Sequence, residues 1–117
     1  MPKPTNGKIC YVEIPAKDIQ KSADFYAKVF GWKIKKRGDG STAFDDPVGG
    51  VSGTWVLKRP VVSKPGMLVY VMVDSISAAT EAILREGGKI MREHPPEIAH
   101  FHDPAGNLLG LYQEPAS

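Results

Sequence analysis

The chain has 117 residues, 42% hydrophobic and 24% charged, with a formal net charge of +2. That length builds about one domain, the composition is that of an ordinary globular protein, and so small a positive excess argues against nucleic acid as a partner. Cys10 stands alone, which removes a disulfide framework and a CxxC motif; no apolar run nears the ~20 residues of a membrane span and no charged-then-apolar leader opens the chain, so a cytoplasmic location is expected.

After a loose start, KICYVEIPA (residues 8–16) is apolar and β-rich and is predicted as a strand, with Cys10 packing as a small apolar side chain. Asp18 caps a helix whose apolar positions Ile19, Ala23, Tyr26, Ala27 and Phe30 recur at three- and four-residue spacing. Gly31 ends it, because a left-handed terminal residue costs glycine nothing sterically. Strands follow near 32–37, 41–45 and 51–58. The cluster Lys33, Lys35, Lys36 and Arg37 fits a solvated strand edge better than a phosphate grip. Arg59 to Pro65, with two prolines, is a joining segment. MLVYVMV (residues 67–73) is the next strand, and Asp74 or Ser75 caps a helix with apolar positions Ile76, Ala79, Ala82 and Ile83 that ends at Gly87. The last strands are expected near 88–93, 98–102 and 107–113.

The two halves follow one plan. Asp18, Gly31 and Ile34 match Asp74, Gly87 and Ile90 at an offset of 56, and AFDDPVGG matches HFHDPAGN at 57. Asp-Pro-x-Gly is a tight-turn signal, since Pro presets the second turn position and Gly suits the fourth. The fold expected is α+β, two tandem βαβββ units of about 7–58 and 66–114. About 56 residues is marginal for a separate core, so the units are expected to form a single domain.

A doubled βαβββ unit with DIQKSADFYAKVFGWKI early and FHDPAGNLLGLYQ late resembles the vicinal oxygen chelate superfamily, in its glyoxalase-like branch. That superfamily includes glyoxalase I, bleomycin resistance proteins and extradiol dioxygenases. The resemblance implies two units curled into a half-barrel around a cleft, and a homodimer, swapped or unswapped, that completes clefts or buries sheet edges. It also implies a metal site whose ligands precede the capping Asp by seven residues and follow the Asp of each DPxG by seven. In this chain those positions read Tyr11, Leu68 (one residue closer in the second half), Gly53 and Gly110. Leu and Gly offer no donor, and Tyr alone binds a divalent ion poorly, so no metal and no other cofactor is expected there. The glycines either open room in the cleft floor or mark bulges.

Alternation along the strands extends the cleft set from Tyr11 to Glu13, from Leu68 to Tyr70 and Met72, from Gly53 to Trp55, and from Gly110 to Tyr112. Aromatic walls, a thioether and one carboxylate suit a mostly apolar or aromatic small molecule, although such rings also serve as core. Glu13, mid-strand, is costly to ionise unless a cation or several donors compensate; it is either a general base or ligand contact, or an internal anchor. His100 and His102 share a strand face and can chelate only if a third ligand approaches, while His94 precedes two prolines in a loop. Ser41, Ser52 and Ser63 have no companions of a nucleophile, and phosphate-loop, dinucleotide and zinc-protease motifs are absent. The leading expectation is a metal-free binding protein for a small organic molecule. The alternatives are a lyase, isomerase or dioxygenase using Glu13 as base or a rearranged divalent-metal site, and an interaction module whose cleft its own side chains fill.

Overall fold

The computed structural model describes residues 6–93 and 97–114. In chain order the elements are β1 (Tyr11–Pro15), α1 (Ile19–Phe30), β2 (Lys33–Lys36), β3 (Thr42–Asp45), β4 (Ser52–Val56), β5 (Tyr70–Met72), α2 (Ile76–Arg85), β6 (Lys89–Glu93), β7 (Ile98–His102) and β8 (Leu108–Tyr112). The α+β class and the doubled βαβββ unit are those expected. Each unit makes its own four-stranded sheet: sheet A in the order β1-β4-β3-β2 and sheet B in the order β5-β8-β7-β6. The first strand of each unit runs parallel to the last and the rest pair antiparallel. Among the described residues no helix is long and apolar enough to cross a membrane.

Local chemistry sets the helix ends. The Asp18 carboxylate accepts from the Lys21 backbone N–H at 3.1 Å, and Gly31 closes α1 at φ 74° with its N–H on the Ala27 carbonyl. In α2 the cap is Ser75, the second of the two candidates, whose hydroxyl accepts from Ala78 N–H at 3.1 Å. β5 is shorter than expected, so Leu68 precedes it.

One core joins both halves. On α1, Tyr26 stacks on Trp32 with centroids 4.5 Å apart and leans on Trp55 of β4 at 6.0 Å. Phe25 and Phe30 of the same helix meet Phe101 of β7 at 6.1 and 5.8 Å. Thus α1 touches both sheets, while α2 packs on α1, β6 and β7. The helices fill the space between the sheets, and each sheet turns its other face outward. Burying each of the fully enclosed rings contributes about 2–3 kcal/mol before entropy is counted.

A polar lock pins the second hairpin into this core. Asp103 Oδ1 accepts the backbone N–H groups of Ala105, Gly106 and Asn107 at 2.9–3.0 Å, and its Oδ2 accepts from the Tyr26 hydroxyl at 2.8 Å. Asn107 donates to the Pro15 carbonyl at 2.7 Å and accepts from Val62 N–H at 2.9 Å, tying β1 and the joining segment to the same turn. Burial, and then the Asp103 charge and its hydrogen bond, push the Tyr26 phenol well above its usual range.

The hairpins differ by one residue. Asp103 N–H closes on the Asn107 carbonyl, whereas Asp46 N–H closes on that of Val51. β4 is therefore displaced by one position relative to β8. Phe44 faces Gly53, but its counterpart Phe101 faces Leu109, and His100 faces Gly110. A one-residue displacement sends every side chain of a strand to the other face. Gly53 and Gly110, equivalent by counting, lie on opposite sides of their sheets.

Candidate functional site

Each sheet has a helix-free face, and strand register assigns its residues. On sheet A, Tyr11, Ser52 and Asp45 form one row, with Glu13, Thr54 and Ala43 in the next. On sheet B, Tyr70, Gly110 and His100 form a row, with Met72, Tyr112 and Ile98 in the next. Of the cleft set expected from sequence, Tyr11 and Glu13 share the first face, and Tyr70, Met72 and Tyr112 share the second. Because the helices stand between the sheets, the two groups do not meet within one chain. Leu68 lies before β5, half-buried.

Trp55 differs from expectation. It is 2% exposed and packs on the helix side against Phe44 at 4.9 Å, opposite to Tyr11 and Glu13. The cause is the longer first hairpin, which a count from Asp46 cannot see. The glycines do not open room either. A Cβ on Gly53 would stand 2.1 Å from the Val12 carbonyl and 2.4 Å from the Phe44 ring, and one on Gly110 would stand 2.5 Å from the Tyr70 ring. Neighbouring rings already use the space that the missing side chains leave.

The family's metal positions can be tested on the same geometry. Tyr11 supplies one phenol, Leu68 and Gly53 supply nothing, and the place of a side chain at Gly110 is taken by Tyr70. This donor set does not fit a divalent cation. His100 and His102 share the helix-free face of β7, where His100 Nε2 lies 3.2 Å from the Tyr70 hydroxyl. Among the described residues no three His, Cys, Asp or Glu side chains gather to hold an ion. His94 lies outside the described residues.

Electrostatics separate the two faces. Glu13 is half-exposed, not desolvated as its mid-strand position suggested, and pairs with the half-exposed Arg59 at 2.6 Å. Arg37 donates to the Tyr11 hydroxyl at 2.6 Å. Asp45 is paired with Lys35 and bonded by the Ser52 hydroxyl, which together hold its carboxyl below the usual range, the Lys35 contact contributing most. Sheet B presents rings and sulfur: Tyr70 is 44% and Met72 56% exposed. A groove of about 350 Å³ between the end of α1 and the start of α2 is lined by Phe30, Met72, Ser75 and Ala79, and shares only Met72 with the expected set. Arg37, Arg59 and Asn107 were not singled out as site or lock residues from sequence. Only Asn107 carried a signal, as the residue that completes DPAGN.

Comparison with known proteins agrees with this architecture. The model of the Glyoxalase/Bleomycin resistance protein/Dioxygenase superfamily matches residues 8–111. A glyoxylase-like domain-containing protein of Didymella fabae is 33% identical over 127 residues, covering 94% of this chain and 96% of its own. Among solved structures, the fosfomycin resistance protein FosX of Listeria monocytogenes superposes with a TM-score of 0.77 at 17% identity, covering 95% of this chain and 94% of FosX. TnmS3, an antibiotic binding protein from Streptomyces sp. CB03234, gives 0.70 at 22% identity, covering 97% of this chain and all (100%) of TnmS3.

Proposed function

The chain belongs to the glyoxalase/bleomycin resistance protein/dioxygenase superfamily, and from that membership we propose that it binds a small, largely apolar or aromatic organic molecule, without the metal of the family's enzymes. The molecule lies against the helix-free faces, in a cleft completed by a second copy. Sheet A of one protomer, with Tyr11 and Glu13, meets sheet B of its partner, with Tyr70, Met72 and Tyr112. The observation that carries this reading is where the apolar surface lies. Among the described residues, eight of the eleven exposed large hydrophobics fall between Ile9 and Tyr11 or between Leu57 and Met72, in the edge strands β1 and β5 and the segments that lead into them. Apolar surface concentrated on sheet edges and uncovered faces marks an association or ligand surface. Glu13 enters as the partner of Arg59 and not as a base.

A titration with the neutral fluorophore phenylnaphthylamine tests the reading. Enhanced emission on binding is expected, with affinity weakened about fivefold or more in Tyr70→Ala, since a stacked ring contributes about 1 kcal/mol or somewhat more. No enhancement with the wild type would overturn it. The buried Trp55 is a poor reporter for this experiment, as its indole faces the core.

A further inference from the structure

Sheet A's helix-free face holds an arrangement that aromatic binding does not use. Ala43, Ser52 and Thr54 lie on it, yet they are only 4, 3 and 7% exposed although no helix covers them. Arg37 follows β2, and Tyr11 opens β1; these strands are the two opposite edges of the sheet. The bond between the Arg37 guanidinium and the Tyr11 hydroxyl spans the face from edge to edge, at 2.6 Å, with the guanidinium carbon 5.4 Å from the ring centre. A face whose edges meet is concave, and its small residues form the floor.

The rim of that hollow carries two ion pairs and Arg37. Arg59 leans over Glu13, and Lys35 over Asp45. Arg37 hydrogen-bonds the Tyr11 phenol, with the exposed Asp39 carboxylate as a minor charge neighbour, so its bond across the face places a guanidinium at the hollow with N–H donors to spare. A guanidinium is a planar fork that matches the paired oxygens of carboxylates, sulfonates and phosphates.

Building on the proposed binding function, we infer that Arg37 and Arg59 form a clamp for the charged end of a small organic anion, whose apolar body rests on the rings of the facing sheet. Glu13 regulates the clamp by competing for Arg59. The ligand class is thereby an amphiphilic acid with a carboxylate, sulfonate or phosphoryl head.

Two fluorophores of similar shape separate this inference from the reading it rests on: anilinonaphthalenesulfonate, which is anionic, and phenylnaphthylamine, which is neutral. The sulfonate should bind about tenfold more tightly, and Arg37→Gln or Arg59→Gln should weaken it about tenfold while weakening the neutral probe far less. Glu13→Gln should instead tighten the sulfonate severalfold, an opposite sign that loss of structure does not produce. Unchanged thermal midpoints would show that the variants stay folded. Equal binding of both probes, or a sulfonate affinity indifferent to Arg37 and Arg59, overturns the clamp and leaves the aromatic site standing. If neither probe binds the wild type, both readings fall.

Discussion

At the residue scale, the two strand glycines show how one residue type serves opposite environments. Gly53 is wedged between a backbone carbonyl and the buried Phe44 ring, neither of which can retreat. Gly53→Ala should therefore cost about 2–3 kcal/mol or more, read as a shift in urea midpoint at constant slope. The obstacle at Gly110 is the half-exposed Tyr70 ring, free to swing toward solvent. Gly110→Ala should cost less than about 1 kcal/mol yet weaken probe binding, because it moves Tyr70. Equal destabilisation by both substitutions would contradict the assignment of the two glycines to opposite faces. The sequence placed Gly110 on one face with Tyr70, Met72 and Tyr112, and Tyr11 with Glu13, as the strand register has them, but it set Gly53 on the cleft side when it faces the core. It misplaced Trp55, because face assignment by alternation depends on knowing the length of every preceding turn, and residues 46–51 hide an extra one. The Arg37–Tyr11 and Arg59–Glu13 pairs were beyond sequence reasoning, since they join side chains 26 and 46 positions apart with no periodic trace.

At the element scale, an aspartate holds each hairpin: Asp46 Oδ1 accepts one backbone N–H, that of Gly50, in the first, whereas Asp103 anchors the second into the core. Asp103 gathers three backbone donors, the Tyr26 phenol and Asn107 into one buried cluster, so the turn after β7 is fixed to α1 and β1 together. Tyr26 is held neutral in the fold, and its folded pKa lies above the unfolded value of about 10. Stability from this group is complete below that unfolded value and falls as pH rises past it toward the folded one. Tyr26→Phe should lower stability by about 1–2 kcal/mol at neutral pH, and should remove part of the loss that the wild type shows in denaturant titrations above about pH 10. An unchanged alkaline profile would count against the lock. Helix ends and hairpins were legible because Asp18, Gly31, Gly87 and the two Asp-Pro-x-Gly turns carry local steric signals. The shortness of β5 was not, since MLVYVMV reads as one apolar run while pairing with β8 covers only Tyr70–Met72.

At the scale of the whole molecule, the helices occupy the space between the sheets, so the helix-free faces look away from one another, and the shared cleft proposed above depends on a second copy. Val69, 54% exposed beside the edge strand β5, sits within the apolar surface proposed for pairing. Val69→Asp should shift sedimentation from dimer to monomer and lower phenylnaphthylamine affinity in parallel; a wild type that sediments as a monomer at high concentration would remove the shared cleft. The doubled unit and the family were legible in the sequence because their motifs fall in order along nearly the whole chain. The layering was not, because Phe25 and Phe30 in the first half and Phe101 in the second declare their contact only in three dimensions.

The extra residue between Asp46 and Val51 has one more effect. It leaves a threonine on one outer wall at the level where the other wall has bare backbone under a phenol, so a gene-level duplication no longer yields twin surfaces. A guest enclosed by such unlike walls would acquire a head and a tail, and turning it end for end would no longer give an equal fit.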